Sequence, residues 1–280
     1  MKTLLFTFPS KGGSTSVWHF LKCHPDVHPS KKKFMSTSDG PEWYWTSRNG
    51  MDHWRLHPPE QYYEFMKVYD YDDGIWLDGS DDILDKDYMS LFRIKLKEFQ
   101  RFCAIYTVRD PYKWTLAYYV FFKIAEHALF DNRQDLIDKA ISKQYTPDNV
   151  RKHQDFYLND FIRYMPSYYI DFTHLFKKFH QEDIYIDYLE DIFNHQEDIF
   201  EWLEIDNTVC LESFPHVNTT TDLMYKIFGS HDAYNVWKEL VYNSKKIKKI
   251  ILDDCIRVEK RYEIDLVDRY NLTEGNRKYA

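Results

Sequence analysis

"FTFPSKGGSTSVWHFLKCHPDV" (residues 6–27) decides the fold. An apolar run stops at Pro9, a lysine and two glycines follow, three hydroxyl residues come next, and a helical pattern begins. Val17, Phe20 and Leu21 share one face of that helix, which Pro25 ends. Strand, glycine-containing turn and helix together form the opening unit of a parallel α/β sheet. At the helix start, backbone N–H groups have no partner within the helix, and its dipole favours an anion. Gly12 and Gly13 let the backbone approach that anion closely, and Ser14, Thr15 and Ser16 supply hydroxyl donors. Lys11 stands before the glycines, whereas the phosphate loop of nucleoside triphosphatases carries its lysine after them.

The same logic recurs in "YTVRDPYKWTLAYYVFF" (106–122). The run 102–108 is a second core strand, nearly continuous in apolar residues. Arg109 stands at its carboxyl end, and Pro111 is placed as the first residue of a long helix. Ligands of open α/β sheets sit off the carboxyl ends of the strands. Lys11 and Arg109 therefore predict a grip on two separate phosphates of one nucleotide, Arg109 taking the one that is not transferred.

Further strands are expected within 74–82 and 182–189, and helices over 59–69, 190–205 and from about 235 onward. The aromatic stretch "EWYWTSRNGMDHWRLHPP" (42–59) lies within an irregular segment, 34–58, read as a lid or substrate loop. With 280 residues, no repeat and no linker, the expectation is one domain over 1–280.

Composition narrows the function classes. A formal net charge of −8 argues against generic nucleic-acid binding, which needs a basic face. No apolar run is long enough for a membrane span, and four widely spaced cysteines read as reduced thiols, so a soluble cytoplasmic protein is expected. His24 and His28 flank Pro25 without the partners of a metal site, and no metal is expected.

These motifs resemble the sulfotransferases that use 3′-phosphoadenosine 5′-phosphosulfate. Lys11, Gly13, Ser14 and Thr15 match the family's Lys-x-Gly-Ser/Thr-Ser/Thr loop, with His24-Pro25 at the end of the following helix. Arg109, Asp110 and Pro111 match its Arg-Asn/Asp-Pro motif, but Ala117 stands where the family has a serine. Asp187 falls at the Glu of a Tyr-Glu-x-Leu stretch, and "PHVNTT" (215–220) is similar to a late loop. The resemblance is to the carbohydrate and bacterial branch.

It implies a three-layer α/β fold with a central parallel sheet, related to the phosphate-loop nucleoside triphosphatases, and sulfuryl transfer to an acceptor hydroxyl or amine. The acceptor would be a carbohydrate or other small molecule. The loop 11–16 would hold the 5′-phosphosulfate and Arg109 the 3′-phosphate. Lys11 would sit beside the bridging oxygen, where charge grows as the S–O bond breaks. For the base, the resemblance points to Asp81, ahead of Asp82, Glu42, His53 and His57; the last three also serve as candidate acceptor contacts. Two rival readings stay open. A kinase of related architecture would place a lysine after the glycines, and a non-catalytic nucleotide- or glycan-binding protein would have lost the base.

Overall fold

A computed structural model describes residues 1–9, 12–29, 59–78, 89–130, 146–209, 211, 228 and 230–273. They divide into two compact units. The first, Met1–Arg109 with Thr173–Val217, contains the sheet; the second, Asp110–Phe172 with Asn218–Ala280, is helical in its described residues.

Five parallel strands form the sheet: β1 (Lys2–Phe8), β2 (Val27–Pro29), β3 (Gly74–Asp78), β4 (Arg101–Val108) and β5 (Ile184–Tyr188), in the order β2-β3-β1-β4-β5. β1 and β4 are buried along nearly their whole length, as their continuous apolar runs require of strands covered on both faces.

Helix α1 (Ser14–Leu21) and helix α8 (Gln196–Leu203) cover one face of the sheet. Val17, Phe20 and Leu21 pack there with Ile199 and Phe200 over Leu5, Leu77 and Ile105. On the opposite face, Phe6 and Phe8 meet Phe179 edge-on, at 6.0 and 6.2 Å between ring centroids. Helix α2 (Pro59–Met66) reaches that face through Tyr62 and Tyr63.

Between these elements, α3 (Met89–Lys95) precedes β4. The remaining helices among the described residues are α4 (Pro111–Phe130), α5 (Pro147–Lys152), α6 (Gln154–Arg163), α7 (Tyr168–Lys178), α9 (His231–Asn243) and α10 (Lys245–Tyr262). In the helical unit Trp237 is the hub, stacking on Tyr119 at 5.2 Å and meeting Phe161 edge-on at 5.4 Å. No helix among the described residues is long and apolar enough to cross a membrane.

Three local expectations change. The first helix stops at Leu21, short of Pro25, and a turn at 22–26 leads into β2, an edge strand of three residues. Its brevity and its terminal Pro29 hide it from any periodicity argument. Residues 190–195 form a turn rather than the first part of a 190–205 helix, because hydrogen bonds to Tyr188 O and Asp191 O close the chain there. The helical pattern after 235 is two helices, separated at Ser244, whose hydroxyl accepts the Ile247 N–H and caps α10.

Candidate active site

Where β1 gives way to α1, the Gly12 N–H returns to Pro9 O at 3.0 Å and folds the loop over the strand end. Gly13 is the N-cap of α1 at φ +113°, in left-handed space that a side chain rarely enters. A Cβ there would also lie 2.4 Å from Leu189 Cδ1. No side chain caps the helix. Its first i→i−4 bond is Val17 N–H to Gly13 O at 3.0 Å, so the amides of residues 14–16 precede the ladder. Ser14 and Ser16 are buried and Thr15 is half-buried. A glycine-capped helix start of this kind suits an anion.

The neighbouring strand β4 fixes the loop from the side. Thr107 Oγ1 lies 3.0 Å from Phe8 O and 3.2 Å from Gly12 O, a shared donor to strand end and loop. Two residues later comes Arg109, half-buried. The rest of its motif starts a helix: Asp110 Oδ1 accepts the amides of Tyr112 at 2.9 Å and Lys113 at 3.3 Å, and Pro111 occupies the first helical position. Asp110 and Pro111 thus start the helix that follows Arg109.

Strand order brings the two features together. After β1 the chain moves to the β3–β2 side of the sheet, whereas after β4 it goes on to β5 on the other side. The gap between β1 and β4 is therefore the topological switch point, where open α/β sheets bind their ligands. Gly12–Ser16 and Arg109 leave the sheet at that point.

Two further carboxylates occupy strand ends, and composition alone did not single out either environment. Asp78 closes β3 with 2% exposure and accepts the Tyr62 hydroxyl at 2.7 Å. Asp187, near the end of β5, accepts the Tyr188 amide at 2.7 Å and His195 Nδ1 at 2.8 Å. That bond raises the His195 pKa above its ordinary value, against a smaller lowering by burial. The sequence places Asp187 at a family position; its pairing with a residue eight positions on comes from the turn between them.

Lys11, Asp81, Asp82, Glu42, His53 and His57 lie outside the described residues, as do 34–58 and 215–220. Ala117 is buried on α4, and Thr115 spends its hydroxyl on Pro111 O at 2.6 Å, so Thr115 does not replace the missing serine. His24 is structural: Asp26 N–H donates to its Nδ1 at 3.1 Å, and Nε2–H donates to Asp206 O at 2.9 Å. Both ring nitrogens are thereby used by the turn that carries the chain into β2. A cavity of about 190 Å³ lies within the helical unit, beside Trp114, Tyr168, Ile251 and Asp254, and shares no residue with the loop or Arg109.

A glycine-capped helix start and an arginine thus meet at the switch point of a parallel α/β sheet. No protein-family profile matches the chain, and no curated protein matches it in sequence. Among solved structures, a sulfotransferase from Alicyclobacillus acidocaldarius superposes with a TM-score of 0.53 over 97% of this chain and 99% of its own, at 14% identity. The sulfotransferase domain of the Synechococcus PCC 7002 olefin synthase aligns over 95% of both chains at 14% identity and a TM-score of 0.45. The fold assignment rests on the first: this chain has the sulfotransferase fold.

Proposed function

We propose that the protein is a sulfotransferase that moves a sulfuryl group from 3′-phosphoadenosine 5′-phosphosulfate to a hydroxyl or amine of a carbohydrate or other small molecule. The observation that carries this reading is the pairing of the glycine-capped α1 start with Arg109 across one switch point. The helix amides and the hydroxyls of Ser14, Thr15 and Ser16 hold the 5′-phosphosulfate. Gly12 and Gly13 give the backbone its close approach. Arg109, with its planar fork of donors, holds the 3′-phosphate.

The acceptor oxygen or nitrogen attacks sulfur, the bridging S–O bond breaks, and its electron pair leaves on the 5′-phosphate. Lys11 stabilises that growing charge, an interaction stronger in the transition state than in the ground state. Its place before the glycines suits a leaving group rather than a triphosphate. Asp81, three residues beyond the end of β3, takes the acceptor's proton, and Glu42, His53 and His57 contact the acceptor.

Calorimetric titration with the desulfated nucleotide, 3′-phosphoadenosine 5′-phosphate, tests the reading on the wild type, Lys11→Ala and Arg109→Ala. Binding by the wild type, with a loss of at least tenfold in Arg109→Ala, is expected; a wild type that binds nothing refutes the proposal. With labelled donor and a panel of sugar and phenol acceptors, Asp81→Asn should lower turnover by about 10²–10⁴-fold while leaving nucleotide affinity unchanged. Undiminished turnover would remove Asp81 as the base, and nucleotide binding without any transfer by the wild type would favour a non-catalytic binding protein.

A further inference from the structure

β5 does not lead straight into α8. Residues 188–195 fold into a compact turn: the amides of Asp191 and Ile192 donate to Tyr188 O at 2.9 and 3.0 Å, and those of Asn194 and His195 to Asp191 O at 2.8 and 3.3 Å. Asp187 clamps both ends of this turn, through Oδ1 to the Tyr188 amide and through Oδ2 to the His195 ring. Inside the turn, the Leu189 amide donates to Val108 O at 2.7 Å, and its side chain lies where a Gly13 side chain would be. Asp187 is also the β-ladder partner of Thr107, whose hydroxyl reaches Gly12 O. A contiguous set of contacts thus runs from His195 through Asp187 to both glycines of the loop.

We propose that Asp187 and His195 are a positioning pair for the anion loop, and that nucleotide binds more tightly when His195 is protonated. The inference rests on reading that loop as the nucleotide site. Two effects act in the same direction. The charged bond is stronger than the neutral one and holds Leu189 firmly against Gly13, keeping the helix amides in place. An imidazolium at the same edge of the sheet also favours a phosphate nearby.

Asp187 is 7% exposed, whereas the His195 side chain is 44% exposed and exchanges protons with solvent. Among the described residues, the charged groups acting on the ring are Asp187 on β5, Asp191 in the turn and Asp198 on α8, and all three favour its protonated form. The α8 N-terminus, at whose N-cap position His195 stands without a side-chain capping bond, opposes them. Because folding raises this pKa, the pair's contribution is full below the unfolded value, about 6.5, and is lost as pH rises through the folded value.

The test is titration with 3′-phosphoadenosine 5′-phosphate between about pH 5.5 and 8.5 on wild type, Asp187→Asn and His195→Asn, together with NMR titration of the His195 ring with and without nucleotide. The asparagine amide of His195→Asn can donate the same bond but does not titrate. Wild-type affinity should fall several-fold through the His195 titration, beyond the phosphate's own titration common to all variants. His195→Asn should bind while lacking that component, and Asp187→Asn should bind more weakly at every pH. Linkage adds a stricter requirement: the nucleotide must raise the His195 pKa by the logarithm of the same affinity ratio.

A His195→Asn profile identical to wild type, or a His195 pKa unmoved by nucleotide, overturns the inference and leaves the nucleotide site standing. A wild type that takes no nucleotide overturns the site reading and this inference with it. Thermal unfolding of each variant identifies any that fails to fold, and because His195→Asn keeps a donor, its profile decides the matter even if Asp187→Asn is lost.

Discussion

Gly12 and Gly13 are adjacent but constrained differently. A Cβ on Gly12 would strike the Pro9 ring at 2.5 Å, a matter of space, while Gly13 adds a φ of +113° to its collision with Leu189. Gly13→Ala should therefore lower stability by about 1–3 kcal/mol and weaken nucleotide binding, measured by thermal unfolding and calorimetry. An alanine variant as stable as wild type would show that the left-handed cap is not needed. On the other side of β1, the Asp78 carboxylate has the Tyr62 hydroxyl as a buried donor at 2.7 Å. Tyr62→Phe should cost about 1–3 kcal/mol in denaturant unfolding, since it removes a buried hydrogen bond to a carboxylate. A loss below a few tenths of a kcal/mol would mean that other donors satisfy Asp78.

Helix ends are where single side chains govern whole elements. Asp110 and Pro111 start α4, and Ser230 and Ser244 cap α9 and α10. α7 begins against a charge: Ser167 Oγ donates to Asp254 Oδ1 at 2.5 Å, the Tyr169 amide to Oδ2 at 3.4 Å, and Arg257 Nη2 to Oδ1 at 3.1 Å. Burial pushes the Asp254 carboxyl up, and these donors and the nearby guanidinium pull it back. A buried carboxylate here is a cap for α7 delivered from α10, so Asp254→Ala should cost about 1.5–3 kcal/mol on the scale of hydrogen bonds to charged groups. Chemical denaturation measures it; an unchanged midpoint would show that the α7 amides find water or another acceptor instead.

Across the whole molecule, a ligand that binds only the folded state stabilises it by mass action. At 100 times its dissociation constant, 3′-phosphoadenosine 5′-phosphate should add about 2.7 kcal/mol, seen as a concentration-dependent rise in melting temperature. Adenosine 5′-phosphate, lacking the 3′-phosphate assigned to Arg109, should add much less at the same concentration. Equal shifts from both nucleotides would dissociate Arg109 from 3′-phosphate recognition. A net charge of −8 gives the molecule a long-range field that repels anions, so nucleotide affinity should rise with added salt if that field dominates over local contacts.

What could be read from the sequence was what local chemistry encodes. Continuous apolar runs marked β1 and β4 because parallel strands bury both faces, and Gly12, Gly13 and Pro111 announced strand-to-helix junctions because a tight turn and a helix start favour those residue types. β2 escaped notice because three residues carry no period, and the 188–195 turn because its residues also fit a helical pattern. Only tertiary structure decided that β1 lies beside β4, which sets the loop and Arg109 at one switch point although nearly a hundred residues separate them. It likewise placed Leu189 against Gly13 and Asp187 beside Thr107. Strand order is a choice among non-local pairings, each with similar local propensities, and the buried area and hydrogen bonding of the whole sheet make that choice.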